Sequence, residues 1–209
     1  MKLLLKSPET EVQVWPSYTD VAFTVILILL FYLFAQAVVS SQTSAILMEI
    51  RSRQKSLSDA VRQRVAAQDV TVTDDLNIQR YGFADRVLFD SGQAELKESG
   101  KQILQLFGEA VGAQIGSFSK IQVEGHTDDN PIKSARFPSN WELSSARATS
   151  VVRFLQERCG LNPALMSANG YSEYQPVDRA GGEAAKARNR RIEIVIFYSG
   201  LEAKDTRAK

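Results

Sequence analysis

The chain has 209 residues, 44% of them hydrophobic, and a formal net charge of +1. That length holds one ordinary domain with additions, and the near-zero balance leaves no electrostatic footprint for nucleic acid. The single cysteine, Cys159, excludes a disulfide within one chain, and the single histidine, His126, excludes a metal site built from a histidine cluster.

In chain order, residues 1–15 read as a short polar tail. Pro16 suits the first turn of a helix, where its missing N–H goes unused. Val21 to Val39 is an uncharged apolar run. At about 1.5 Å per residue, its roughly 19 residues are long enough to cross a bilayer core. Residues 16–40 are therefore predicted to be one transmembrane helix, with Trp15 and Tyr18 where an interfacial aromatic belt would lie. Ala35-Gln36-Ala37 has the small-x-small pattern of a cleavage site, but the run exceeds a signal-peptide core and about 20 residues precede it, which favours an uncleaved helix. Lys2 and Lys6 on one side, and Arg51, Arg53 and Lys55 on the other, leave the orientation undecided. Asp20 stands at the mouth of the span. A carboxylate there serves ion relay, gating or a partner's charge, or it simply favours a helix N-terminus; the local sequence leaves both open.

After the span, Leu47, Ile50, Gln54, Leu57, Val61 and Arg64 recur at alternating steps of three and four. Such a stripe suits pairing with a second copy, docking on a partner, or a solvated amphipathic linker. Residues 41–75 are accordingly expected to be a linker, with 68–75 a polar stretch or edge strand. A globular domain is expected over 76–200 and a tail over 201–209. Within the domain, Tyr81–Phe89 reads as a strand ending in the turn Asp90-Ser91-Gly92, Leu96–Val111 as an amphipathic helix, and Ile121–Glu124 as a strand. Asn140–Arg158 reads as a second helix, Ser167–Gly170 as extended, and Arg191–Tyr198 as a period-two strand. This order, βαβαβ with two helices on one sheet, predicts an α+β two-layer sandwich behind a single N-terminal transmembrane helix. Trp141 is expected in the core rather than as a platform for stacking sugars, Cys159 as a buried helix-end thiol, and His126 as a residue that orients a loop.

Three separated motifs carry a family resemblance. Gly125-His126-Thr127-Asp128, then Asn140-Trp141-Glu142-Leu143-Ser144 with Arg147-Ala148, then Asn189-Arg190-Arg191-Ile192-Glu193-Ile194, resemble the OmpA-like peptidoglycan-binding domain over roughly residues 80–198. The stretches Asp129–Ile132, Pro138–Ser144 and Gly170–Val177, together with an Asp-bearing membrane helix, look like its MotB branch. The resemblance implies that Asp128 and Arg147 bind a peptidoglycan stem peptide at the zwitterionic end of diaminopimelate. The carboxylate accepts from the ammonium, and the forked guanidinium pairs with the carboxylate. Thr127, Asn140, Leu143 and Arg191 are weaker additions near the same pocket, and an empty site is expected to pair Arg147 with Asp128.

The resemblance further implies an inner-membrane protein with a cytoplasmic N-terminus and a periplasmic domain. It implies a homodimer seated in a pentameric MotA-like A subunit, with Asp20 relaying the ion, a proton in preference to sodium. The Zorya anti-phage B subunit is the kind of non-flagellar relative that the short linker, of about 36 residues, and the small chain suggest. No cofactor, no metal and no enzymatic activity are expected. The alternative is a passive membrane tether to the cell wall without ion transport.

Overall fold

A computed structural model describes residues 15–65 and 70–199. Most of residues 1–15, and all of 201–209, lie outside the described residues. The chain divides into two compact units, Met1–Ala45 and Ile46–Lys209, and a long helix, α1 (Trp15–Arg64), contributes to both.

In the first unit, α1 is long and apolar enough to cross a membrane, with a mean hydropathy of 2.5 over its most apolar stretch. Its side chains from Val21 to Val39 are exposed, Ala35 excepted. An unbroken apolar helix with no core around it is the pattern of a segment solvated by lipid. The Thr24 hydroxyl donates to the backbone carbonyl of Asp20 at 2.8 Å, one turn back. No acidic residue occupies the first turn of α1.

The second unit is a two-layer α/β sandwich. Its sheet has the order β1-β2-β5-β3-β4, formed by β1 (Val70–Asp74), β2 (Ile78–Ala84), β3 (Phe118–His126), β4 (Met166–Gly170) and β5 (Arg191–Tyr198). Among the described residues only β3 and β4 run parallel, because α4 (Asn140–Cys159) carries the chain back between them. The alternation along β5 puts Ile192, Ile194, Ile196 and Tyr198 in the core. They pack there with Leu104, Phe107 and Val111 of α3 (Glu98–Gly112) and with Val151 and Leu155 of α4. Phe107 meets Tyr81 and Phe83 edge-on, at centroid distances of 5.1 and 5.4 Å. Two short α-helices, α2 (Asp85–Leu88) and α5 (Gly182–Asn189), also belong to the unit.

Two expectations are corrected here. Residues 46–65 are no free linker: Ile50, Leu57, Val61 and Val65 are buried in the domain core. Leu47, Ile50, Gln54, Leu57 and Val61 form the face turned inward, and Arg64 alone of the stripe is exposed. Gln54, a polar interruption in that stripe, donates to the carbonyls of Asp75 and Ile78 at 2.8 and 3.2 Å. Its own carbonyl accepts from the fully buried Gln79 at 2.9 Å. Its polarity thus satisfies the β1–β2 turn, and the stripe gives no free seam for pairing two copies. The strand expected over Tyr81–Phe89 ends at Ala84, and α2 follows. Of the stretch 68–75, expected as a polar stretch or an edge strand, Val70–Asp74 forms the edge strand β1.

Candidate functional site

The C-terminal ends of β2 and β3, the turn Asp90-Ser91-Gly92 and the first turns of α4 converge on an open cleft of about 640 Å³. Two glycines make this convergence possible. A Cβ on Gly125 would lie 2.2 Å from the Ser144 carbonyl oxygen, so only glycine lets β3 approach α4. Gly92 has φ of 68°, the left-handed conformation that closes its turn. The start of α4 is fixed by Ser139, whose hydroxyl accepts from the Trp141 N–H and donates to Glu142, a capping box.

Arg147 projects from α4 and is 3% exposed. Its Nη1 lies 2.9 Å from Asp85 Oδ1. Its Nε donates to the Gln93 carbonyl at 2.7 Å, its Nη2 to that of Asp90 at 3.4 Å, and the guanidinium sits 5.2 Å from the Phe89 ring centroid. Three of its five N–H groups are thus engaged, leaving two for a ligand. Asp128 follows β3 and pairs with Arg190, while its Oδ1 accepts from the Asn130 backbone N–H at 3.2 Å. The expected internal pair of Arg147 with Asp128 is therefore not formed. Each has a different partner, and the cleft holds two crossed ion pairs, Asp85–Arg147 and Arg190–Asp128.

Asp85 is the perturbed group of the site. Burial pushes its carboxyl from 3.8 up to about 6 against the opposing charges of Arg147 and Arg190. Burial likewise pulls the Arg147 guanidinium below its usual value, with Asp85 holding it up. Both partners thus carry the desolvation penalty of a buried pair.

Of the other expected residues, Asn140 clasps the loop: its Nδ2 donates to the carbonyls of Asp128 and Asn130 at 3.3 and 3.0 Å, and its Oδ1 accepts from the Ile132 N–H at 3.3 Å. Leu143, 5% exposed, gives an apolar wall with Phe137 and Ala94. Thr127 lines the cleft and is locked by its own backbone neighbour, its hydroxyl donating to the Asp128 carbonyl at 2.9 Å. Arg191 does not join them. It lies on the face of the sheet away from the helices, with Nε 2.6 Å from Glu193 Oε1, and its place in the cleft is taken by Arg190.

His126 shares that outer face, 2% exposed and stacked on Tyr171 with centroids 5.3 Å apart. Glu124, His126 and Glu193 are spaced as metal ligands could be. Arg80 lies 3.5 and 3.4 Å from the two carboxylates and Arg191 pairs with Glu193, so their charge is already balanced by two guanidinium groups. Trp141, expected in the core, is 47% exposed.

Asp85 and Arg190 escaped the sequence reading. The signal for Arg190 was present: in Arg191–Tyr198 the inward residues are the even-numbered ones, which puts Arg191 on the opposite face and leaves Arg190, before the strand, free to turn into the cleft.

A cleft with a buried carboxylate and a buried guanidinium, each with spare hydrogen-bonding capacity, suits a small zwitterion. Residues 88–190 match the OmpA family. Motility protein B of Bacillus subtilis (strain 168) is 34% identical over 116 residues, which cover 56% of this chain and 44% of that protein. The match thus spans less than half the length of that curated relative. The structure of the cell wall anchor of the T6SS from Pseudomonas aeruginosa is 31% identical, with a TM-score of 0.62, over 68% of this chain and 97% of that one. A MotB-like protein from Desulfovibrio vulgaris shares the fold, with a TM-score of 0.69 at 24% identity over 75% of this chain and 98% of that one. Residues 88–190 thus carry an OmpA-family domain, and the chain is similar to motility protein B over about half of its own length.

Proposed function

We propose that this chain is the B subunit of an inner-membrane, ion-driven rotary motor, anchored to peptidoglycan by its second unit. The observation that carries the anchoring role is the single cleft lined by both Asp128 and Arg147. Asp128 receives the ammonium and Arg147 the carboxylate of a stem-peptide diaminopimelate. Arg190 must yield part of its hold on Asp128, and it can do so because Glu183 pairs with its other Nη at 2.7 Å.

The motor role rests on Asp20. It follows Trp15, where α1 begins, by more than a helical turn, and the benefit of an acid at a helix N-terminus falls off within that turn. That favours a working carboxylate over a helix-start residue. With the domain on the wall side, the N-terminus is cytoplasmic and the second unit periplasmic. Two copies inside a pentameric MotA-like ring give a twofold anchor, and protonation and release of Asp20 drive rotation of the ring around it. The compact unit begins at Ile46, so only residues 40–45 separate it from the apolar run. This short connection leans the output toward a non-flagellar relative of the Zorya kind, in anti-phage defence rather than swimming.

Two measurements test the proposal. Full-length protein in detergent is pulled down with purified sacculi: Asp128→Ala and Arg147→Lys, each checked for native circular dichroism, are expected to weaken binding by about 2 kcal/mol or more. Unchanged binding in both removes the cleft as the anchor. Asp20→Asn keeps shape and hydrogen bonding but cannot titrate. It is expected to abolish ion flux in proteoliposomes containing the A subunit while the complex still assembles. Full flux leaves only the passive tether.

A further inference from the structure

Two large aromatic side chains stand in the open beside the cleft. Trp141 is 47% exposed and Tyr174 is 66% exposed. They stack on each other with ring centroids 5.4 Å apart and planes inclined by 27°. The stack uses one face of each ring and leaves the outer faces to solvent, where large apolar surface marks a contact site when it is contiguous and placed.

Its placement is built. Trp141 directly follows Asn140, the residue that clasps the cleft loop, so the first turn of α4 sets both. Tyr174 directly follows Glu173, whose Oε2 accepts from Asn140 Nδ2 at 3.4 Å. The turn that brings Tyr174 back onto α4 passes through Ser172, 1% exposed, with φ of 54°. A serine held in the left-handed region is strained, and such strain persists only where surrounding contacts fix it. Here those contacts are the Ser172 N–H donating to Ser144 Oγ at 3.2 Å and its carbonyl accepting from the Thr127 N–H at 2.9 Å. Thr127 and Asn140 line the cleft, so the aromatic pair is joined to it through hydrogen bonds on both sides.

We infer that Trp141 and Tyr174 form a second subsite, a stacking platform for a pyranose ring of the glycan strand. The inference rests on the peptidoglycan reading of the cleft. In peptidoglycan the stem peptide is amide-linked to the lactyl group of a sugar, so a diaminopimelate held by Asp128 and Arg147 brings its own glycan within about three residues of extended peptide, roughly 10 Å. A pyranose has an apolar face of axial C–H groups and an edge of hydroxyl and acetamido groups. The stacked rings match the apolar face, and the carboxylates of Glu142 and Glu173, each next in sequence to one of the rings, are acceptors suited to the hydroxyl edge. A second protein would meet the same rings but would lack that covalent tie to the cleft.

The test uses full-length protein in detergent with Trp15→Phe, which leaves Trp141 as the only tryptophan of the two in the chain. Three probes are titrated by tryptophan fluorescence and calorimetry: the free stem tripeptide ending in diaminopimelate, the same tripeptide on its N-acetylglucosamine–N-acetylmuramic acid disaccharide, and the disaccharide alone. The disaccharide-tripeptide is expected to bind roughly tenfold tighter than the tripeptide and to shift the Trp141 emission. Trp141→Ala and Tyr174→Ala are expected to lose that gain and keep tripeptide affinity, and Trp141→Phe to retain part of it. Equal binding of the two peptide probes by the wild type overturns the platform and leaves the cleft standing. Loss of tripeptide affinity in Trp141→Ala, to the same degree as loss of disaccharide-tripeptide affinity, also overturns it, since Trp141 would then only support the cleft. A wild type that binds no probe overturns the cleft reading and the platform with it.

Discussion

Asp85 gives the most quantitative prediction. Its carboxyl is 8% exposed and is raised from 3.8 to about 6, chiefly by burial. A raised acid binds its proton more tightly in the folded state, so its contribution to stability is complete well below pH 3.8, is lost as pH rises through the window from 3.8 to about 6, and is gone well above it. The slope within the window is about 1.4 kcal/mol per pH unit, and the whole change is about 3 kcal/mol, an order-of-magnitude figure. Other carboxylates blur the raw curve. Asp129, Glu142, Glu173 and Asp178 are held below their ordinary range by hydrogen bonds, so they act in the opposite sense, at lower pH. The clean quantity is the stability of the wild type minus that of Asp85→Asn, measured by urea unfolding of the full chain in detergent at half-unit steps from pH 4 to 8. Asn is close in shape to the protonated acid and does not titrate. The difference is expected to fall by about 2.4 kcal/mol between pH 4 and 7, most of the whole change, and then level off. A flat difference curve, or one that rises with pH, refutes the account of Asp85 as a carboxyl dominated by burial.

The remaining predictions follow from the same contacts. Asp85 competes for Arg147, so carboxylate ligands are expected to bind more tightly at pH 5 than at pH 7.5, and calorimetry on Asp85→Asn is expected to show that dependence abolished. Leu57→Ala, at a fully buried position, is expected to lower unfolding stability by about 2–5 kcal/mol, whereas exposed Ser52→Ala changes it by less than about 0.5 kcal/mol; equal effects return residues 46–65 to a solvated linker. Gly125→Ala, with its Cβ 2.2 Å from the Ser144 carbonyl oxygen, is expected to part β3 from α4, seen as faster amide exchange at both and a loss of sacculus binding; native exchange rates at both refute the close packing. Burial raises the Cys159 thiol to about 11, so thiol labelling of the native protein at pH 8 is expected to be slow and to become fast in urea.

What the sequence disclosed follows from which features are local. The helices α3 and α4 and the strand β5 were legible because each carries a strong period, and the membrane helix because composition alone defines it. The turn at Gly92 was legible because its chemistry lies within three residues; the Ser139 cap of α4 is as local but was not read from the sequence. Partner identity was not local. Asp85 lies 62 residues from Arg147 in the chain, and Asp128 lies 62 from Arg190; no period or cap relates such pairs, and only the convergence of β2, β3 and α4 brings them together. The stripe of residues 46–65 shows the same limit: a helix face reports that it will be covered, not by what. Its polar member decided the matter. A glutamine in a dimer seam would lose stability unless it met a copy of itself, whereas Gln54 meets two turn carbonyls and the amide of Gln79 within its own domain. The stripe therefore offers no seam to a second copy, and the apolar length of α1 from Val21 to Val39, exposed but for Ala35, is the surface that lipid or other membrane helices would cover.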